Sequence, residues 1–472
     1  MALDRIVART RERLEERRRV RSLAELFEGL APSERSFARA LRGNAPAFIL
    51  EVKPRSPSRG ALRPVGDLDE VIESYARHAS VISVLTEPEF FGGSHDLLRR
   101  VRAAVRQPVL AKDFILDPYQ VAEARYHGAD AVLLMLSVLD DATYTACANT
   151  ARHLHMGVLT EVHNASEMRR ARALGAPVIG INNRDLATLR VDVGTTLALA
   201  PLAPPGALLI AESGIDSRAT FERVRPVVDG ALVGSSLMLA PDVDLAVRHL
   251  VFGATKVCGI TRPEDAQVAC AAGATHGGLV FHAPSRRAVT PARAVRVVAA
   301  APLEWVGVFV NEPLARVAEV AASLSLRAVQ LHGDETASDV ATLRPLLPDR
   351  CEIWRAVAIR DRLPASATPG VDLTLFDGFV EGYRGGTGRS FDWRLLRAEE
   401  MQYPFGIAGG LAPGNVAVAA AHGARVLDVS SGVESTPGSK DATLIRAFLA
   451  SRGGRRRDGA AADTSAAGER VA

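Results

Sequence analysis

Glu51 and Lys53 interrupt an apolar run, Phe48, Ile49, Leu50 and Val52, at the end of what would otherwise be a strand covered on both faces. Two positions apart, they share one face of an extended chain. A single pair of this kind is ordinarily a structural ion pair plugging a strand end. Here the interruption recurs at the ends of later apolar runs, as Lys112 in VLAKD, Glu161 in LTEV, Asn182 with Arg184 in INNRD, and Glu212 with Ser213 in AESG. Crowded carboxylates raise one another's pKa and neighbouring ammonium groups lower it, so such a set supplies both a general acid and a general base near neutral pH. AESG and the later LVGSS, with Gly214, Gly234 and Ser235, leave backbone N–H groups open at helix starts, where phosphate binds.

A second set lies further on. In TKVCGIT, Lys256 and Cys258 share a face, which puts an ammonium beside a thiol and favours its thiolate. Asp377 ends another apolar run and precedes a glycine-rich loop, GYRGGTG at 382–388. AGGL at 408–411 and DVSSGVE at 428–434 again offer small residues for a phosphate. Cys270 and Cys351 lie away from such ends and read as buried small hydrophobes.

These groups meet only if the chain folds so that all the ends face one way. Apolar runs at 48–53, 81–86, 108–113, 131–137, 157–162, 178–183, 208–213 and 230–235 predict strands, with helical stretches between them. Those at 118–127 and 166–174 follow Asp117 and Asn164 and close at Gly128 and Gly175. Eight strand–helix units of this kind predict a closed (β/α)8 barrel, whose strands deliver their C-terminal ends to one mouth. No G-x-G-x-x-G follows the first run, which weighs against a dinucleotide fold. After a helical stretch at 239–252 the cycle restarts, with strands predicted at 255–258, 277–281, 305–310, 328–332, 352–357, 373–377, 404–409 and 426–430. The fold class expected is therefore α/β, two tandem TIM barrels, at 1–252 and 253–452, with a disordered tail at 453–472 that is almost without large apolar residues. Ahead of the first strand, Leu3, Ile6, Val7 and Leu14 mark an amphipathic helix laid on the first domain, and further helical stretches run over 22–30 and 33–41. Its acids, Asp4, Glu12, Glu15 and Glu16, argue against a transit peptide.

Composition excludes other classes. Basic and acidic residues number 57 and 54, a formal charge of +3, which calls for no nucleic acid. No apolar run reaches the roughly 18 residues of a membrane span. Four scattered cysteines suit neither a disulfide framework nor a zinc knuckle and fit a reducing compartment, the cytoplasm.

ILEVKPRSPSRG, VLAKDFILDPYQV, LTEVHN, IGINNRDL, AESGI and LVGSSLM, in this order, resemble indole-3-glycerol-phosphate synthase over about residues 1–250. The resemblance implies cyclisation of 1-(2-carboxyphenylamino)-1-deoxyribulose 5-phosphate with loss of carbon dioxide and water. It implies Lys112 as the acid that protonates the carbonyl, Glu161 for the dehydration, and Glu51 and Asn182 as positioning groups. Lys53 would hold the carboxylate and phosphate side, Arg184 would lie near the anthranilate ring, and Ser213, Gly214, Gly234 and Ser235 would take the phosphate. Ser56 and Glu212 complete the implied substrate contacts. An alternative reading exchanges the acid roles of Lys53 and Lys112, and sequence does not choose between them.

VKVCGITRPEDA, PSRRAV, VGVFVNE, VQLHGDE, FDGFVEGYRGGTGRSFDW, IAGGL and LDVSSGVESTPGSKD resemble phosphoribosylanthranilate isomerase over about 254–451. That family converts an aminoaldose phosphate to an aminoketose phosphate. The resemblance implies Asp377 as the acid that opens the furanose ring and Cys258 as the base that removes the C2' proton. Arg287 would grip the anthranilate carboxylate and His332 would contact ligand or serve a loop hydrogen bond. Gly409, Gly410, Ser431 and Gly432 would line the phosphate site, with Asp428 near the sugar hydroxyls. GRSF stands where GKTF is commoner, which keeps the charge but would alter the dynamics of that loop.

The product of the second reaction is the substrate of the first. Both are proton transfers, so neither a metal nor an organic cofactor is expected, and no ligand cluster that a metal requires is visible. The partners expected are phosphosugar anthranilates, with no nucleic acid and no membrane, for a monomer or weak homo-oligomer. Two other classes remain open. A Schiff-base aldolase or sugar-phosphate epimerase shares the mouth lysines and phosphate glycines. A barrel binding RNA or protein through its Arg-rich start would need missing acid–base groups, and here both sets are complete.

Overall fold

A computed structural model describes residues 2–43, 45–186, 188–378, 390–396 and 401–453. The glycine-rich loop at 382–388, the GRSF segment through Arg389 and all of the expected tail but Gly453 lie outside the described residues. The chain divides into two compact units, with the boundary between Val247 and Arg248.

In the first unit, strands β1 (Ala47–Val52), β2 (Val81–Leu85), β3 (Val109–Lys112), β4 (Ala131–Met135), β5 (Gly157–Val162), β6 (Val178–Asn182), β7 (Leu208–Glu212) and β8 (Gly230–Val233) close into a parallel barrel in chain order. The predicted helix starts and stops are present: Asp117 and Asn164 accept from Tyr119 N and Glu167 N, and Gly128 and Gly175 take φ of 100° and 67°. Register puts the charged ends at one level, with Leu85 beside Lys112, Met135 beside Glu161 and Asn182 beside Glu212. Side chains on alternate strands fill a barrel in layers. The odd strands contribute Ile49, Leu110, Leu159 and Ile210, all fully buried, to one layer. Two residues on, hence on the same face, they contribute Glu51, Lys112, Glu161 and Glu212. The charged set is thus the top layer of a barrel whose lower interior is oil.

Phe37 and Leu41, on the short helix Phe37–Leu41, are buried in that same core. A Cβ on Gly157 would come within 2.4 Å of Phe37, so the glycine admits the aromatic plug at the end opposite the mouth. Burying such a ring stabilises by about 2–3 kcal/mol. The N-terminal helix Ala2–Val20 buries Ile6 and Leu14 and ties down through Arg13 to Glu87 at 3.0 Å and Arg17 to Glu123 at 3.2 Å.

The second unit repeats the design. Strands β9 (Thr255–Cys258), β10 (His276–Val280), β11 (Glu304–Phe309), β12 (Ala328–Leu331), β13 (Glu352–Ile359), β14 (Leu373–Gly378), β15 (Phe405–Ile407) and β16 (Val426–Val429) form another closed parallel barrel. Helix Ala442–Arg452 packs Ile445, Phe448 and Leu449 into its core. Among the described residues no helix is long and apolar enough to cross a membrane.

Candidate active sites at the two barrel mouths

A cavity of about 570 Å³ opens at the mouth of the first barrel. Glu51, Lys53, Ser56, Lys112, Glu161, Asn182, Arg184, Glu212, Ser213, Gly214, Gly234 and Ser235 all line it, and Leu3 and Ile6 of the N-terminal helix reach its wall. Lys112 Nζ lies 2.5 Å from Glu212 Oε2 and 3.5 Å from Glu161 Oε2, while Lys53 Nζ pairs with Glu51 Oε1 at 2.6 Å. Asn182 Oδ1 accepts from Arg184 N at 3.0 Å. Ser213 and Gly214 both take left-handed φ, 60° and 79°, which turns the chain sharply at the end of β7.

Burial works against every charge in this layer, and the neighbours decide which survive. For Lys112 burial is outweighed by Glu212, Glu161 and Glu51, which hold the ammonium protonated well above the lysine range. Burial likewise raises Glu51, yet Lys53 and Lys112 bring it below its ordinary value. At Glu161 burial is overcome by Lys112 and His163, and the carboxyl is held low. At Glu212 burial, with the charges of Glu161 and Glu51, outweighs Lys112 and pushes the carboxyl up to about 7. One layer therefore holds two ionised carboxylates, Glu51 and Glu161, a carboxyl that exchanges its proton near neutrality, Glu212, and the fixed ammonium of Lys112 among them.

Glycine makes the room. A Cβ on Gly180 would sit 1.9 Å from Glu212 Oε1. Gly180→Ala is expected to push Glu212 off Lys112 and lower the turnover of this site by about tenfold to a hundredfold, leaving the second barrel's rate unchanged. Parallel rate assays of the two half-reactions check it.

At the second mouth a smaller cavity of about 110 Å³ is lined by Cys258, Arg287, His332, Asp377, Gly409, Gly410, Asp428 and Ser431. Gly432 is not among these residues; it packs instead against the loop after β15, where a Cβ would meet Leu411 O at 2.0 Å. Lys256 is fully buried, 3.1 Å from Cys258 Sγ, 2.7 Å from Asp428 Oδ2 and 2.8 Å from Gln330 Oε1. The expected ammonium beside the thiol is present, yet the thiol is not lowered: burial, joined by Asp428, outweighs Lys256 and raises it. Burial and the charge of Asp428 push Asp377 up to about 6. His332 lies 3.7 Å from Asp377 Oδ2 through Nε2, and its Nδ1 is 3.0 Å from Gln330 Nε2. Arg287 meets Glu434 through Nε at 2.9 Å and Nη2 at 2.7 Å, and Lys440 holds the same carboxylate at 2.7 Å. Gly409 and Gly410 take φ of 74° and 64° at the loop after β15.

Sequence reasoning assigned no role to His163, Gln330, Glu434 or Lys440. Each sat inside a quoted motif; Gln330 broke the apolar run predicted at 328–332 much as Glu51 breaks its own, whereas His163, Glu434 and Lys440 lie beyond the predicted strands. Sequence reasoning also did not group His95, Glu123 and His127, whose possible ligand atoms lie within 4.8 Å of one another. Their spacing, 28 and 4 residues apart, matches no metal motif, so only the fold unites them. The two rings stack face to face at 4.2 Å and 11°, which leaves their in-plane lone pairs parallel instead of convergent. Burial first, then neighbouring arginines including Arg99, lower both imidazoles, to about 4 and about 3, the setting of a neutral stacked pair beside positive charge.

Residues 3–250 match the family model described as indole-3-glycerol phosphate synthase, and residues 255–451 match that described as N-(5'phosphoribosyl)anthranilate (PRA) isomerase. The tryptophan biosynthesis protein TrpCF of Vibrio cholerae is 48% identical over 433 residues, covering 92% of this chain and 92% of that protein. The protein of the same name from Salmonella typhi is 46% identical over 443 residues, covering 94% and 97%. With one matching barrel for each model, and relatives of the same length that carry both, this chain belongs to the family of fused indole-3-glycerol phosphate synthase and phosphoribosylanthranilate isomerase enzymes of tryptophan biosynthesis.

Proposed function

We propose a residue-level division of labour for this bifunctional enzyme, with its functional boundary at 252/253, the end of the helix Val243–Phe252 within which the two compact units divide. The second barrel isomerises N-(5'-phosphoribosyl)anthranilate, and the first cyclises the product to indole-3-glycerol phosphate with loss of carbon dioxide and water. In the first barrel Lys112 protonates the ketone oxygen during ring closure and Glu161 serves the dehydration. Glu51, Asn182 and Glu212 position the intermediate, Lys53, Ser56 and Arg184 hold the anthranilate end, and Ser213, Gly214, Gly234 and Ser235 take the phosphate. The observation that carries this reading is the top layer itself, one ammonium shared between Glu161 and Glu212 above four buried aliphatic side chains. It favours Lys112 over Lys53 as the acid, because Lys112 pairs with both Glu161 and Glu212 of that layer whereas Lys53 pairs with Glu51.

In the second barrel Asp377 is the acid, Cys258 the base and Arg287 the carboxylate contact, with Asp428 near the sugar hydroxyls. His332 flanks Asp377, and Gly409, Gly410 and Ser431 take the phosphate, with Gly432 shaping their loop from behind. We place both reactions in the cytoplasm, consistent with four free cysteines. In this reading the chain acts as a monomer or weak homo-oligomer, and its near-balanced formal charge of +3 calls for no nucleic acid.

The pH profile of the isomerase tests the acid–base pair. Asp377 must be protonated and Cys258 ionised, yet the carboxyl titrates near 6 and the thiol above its ordinary value. The productive form is therefore a small minority, constant between the two values and falling outside them. kcat/KM of the isomerase is expected to rise with pH through about 6, stay level, and fall only in the alkaline range. Asp377→Asn should remove the limb near 6 along with nearly all the rate. A profile that falls as pH rises from 6 to 8 would exclude this pair.

A further inference from the structure

The cyclisation has a proton balance that the mouth residues alone do not close. A bond forms between the ring carbon bearing the carboxylate and the ketone carbon. The carbonyl electrons pass to oxygen, which takes a proton from Lys112. The bond to the carboxylate then breaks, its electrons return to the ring, and carbon dioxide leaves neutral. In the dehydration the departing hydroxyl takes a proton and the neighbouring methylene gives one up, so that step is neutral. Each turnover thus consumes one proton, and Lys112 is left as an amine inside a buried layer.

Behind Glu161 the structure holds a chain of groups that leads out of that layer. Lys112 Nζ is 3.5 Å from Glu161 Oε2. Glu161 Oε1 is 3.1 Å from His163 Nε2, a close ion pair whose N–H lies off the hydrogen-bond axis. His163 Nδ1 is 3.1 Å from Glu167 Oε2. Glu167 is fixed as the third residue of its helix, accepting from His163 N at 2.7 Å and Asn164 Nδ2 at 2.7 Å. His163 and Glu167 line a second cavity of about 500 Å³, together with Asn164, Asp185, Arg190 and Asp192. Asn182 and Arg184 line both cavities, so the chain bridges two adjoining spaces.

We propose that Glu167 and His163 form a proton inlet that reloads Lys112 through Glu161 after each cyclisation. The imidazolium gives its Nε2 proton to Glu161, and Glu161 passes it to the Lys112 amine. The ring is then neutral, with its remaining proton toward Glu167. Rotation of the ring about Cβ–Cγ carries the bare Nε2 off Glu161 to the side that Cε1 had occupied, where it takes a proton from solvent in the second cavity before the ring turns back. Burial opposes the charge on His163, but Glu161 and Glu167 outweigh it and raise the imidazole to about 10, so the inlet rests loaded. His163 and Glu167 act through Glu161 and are positioning residues. The inference rests on the placement of the cyclisation at Lys112 and Glu161.

The test compares His163→Gln, His163→Ala and Glu167→Gln in the full chain, fed the first barrel's own substrate. kcat is expected to fall about tenfold or more in all three with KM within about twofold, and added imidazole should restore the His163→Ala rate. The solvent deuterium effect on kcat should grow in His163→Gln as reloading becomes limiting. Wild-type kcat in His163→Gln or Glu167→Gln would overturn the inlet. So would a loss in His163→Ala that imidazole does not repair and that follows a lowered Tm. If His163→Gln is fully active while Lys112→Ala is dead, the inlet falls and the cyclisation site stands; an active Lys112→Ala would remove both.

Discussion

Lys112→Ala abolishes indole-3-glycerol phosphate formation while the isomerase continues at its normal rate; this is the largest effect expected in the first barrel. The substitution takes away the proton donor, a loss of about 10²–10⁴ in rate. It also strips the one ammonium from a buried layer holding Glu51, Glu161 and Glu212, so Glu161 loses the leading charge that keeps it ionised, while Glu51 keeps Lys53 as its main partner. Removing one partner of a buried pair costs about 3–5 kcal/mol unless the remaining groups take up protons. Here the response is protonation, and Glu161 then no longer serves as a base. Lys112→Met, which keeps the volume and drops the charge, separates the chemical loss from a packing loss. Feeding N-(5'-phosphoribosyl)anthranilate and following indole fluorescence checks both variants, with the aminoketose expected to accumulate. Turnover within tenfold of wild type would remove Lys112 from the acid role and return it to Lys53.

In the second barrel the corresponding loss comes from Cys258→Ala or Asp377→Asn. Each leaves cyclisation of supplied aminoketose intact and removes isomerisation by about 10³-fold or more, since the acid and the base are needed in one turnover. Cys258→Ala also leaves Lys256 with two anionic or polar partners, Asp428 and Gln330, instead of three, so the ammonium stays paired and the barrel should fold. Asp377→Asn keeps the side chain's shape beside Gly378 N, from which Asp377 Oδ1 accepts at 2.8 Å, while no longer supplying a carboxylic proton. Assaying the two half-reactions separately on each purified variant gives the answer. Simultaneous loss of both activities in a folded protein would contradict two independent sites.

The strands and their ends were legible because their causes are local. Short apolar runs, glycine stops and polar breaks such as Glu51, Lys112 and Glu212 depend on residues a few positions apart. A parallel barrel then has a single mouth, so listing the strand ends nearly listed the residues around each cavity. Gly432 was the exception in that set, since its neighbour is the Leu411 carbonyl of a different loop. The direction of each pKa was less legible. Lys256 and Cys258 could be put side by side from the sequence, but burial of both and the presence of Asp428, 172 residues from Lys256, turned the thiol upward.

By itself, then, the order of residues determined two rings of eight strands, which chemical groups stand at each rim, and the pair of reactions those groups resemble. Tertiary structure alone decided that Lys112 divides its charge between Glu161 and Glu212, that Glu434 and Lys440 brace Arg287, that His163 joins Glu161 to Glu167, and that His95 stacks on His127. The reason is range. Strand and turn preferences act over a few residues, whereas a buried charge takes its protonation state from every group within several ångströms, and closing the barrel chooses those groups from the whole length of the domain.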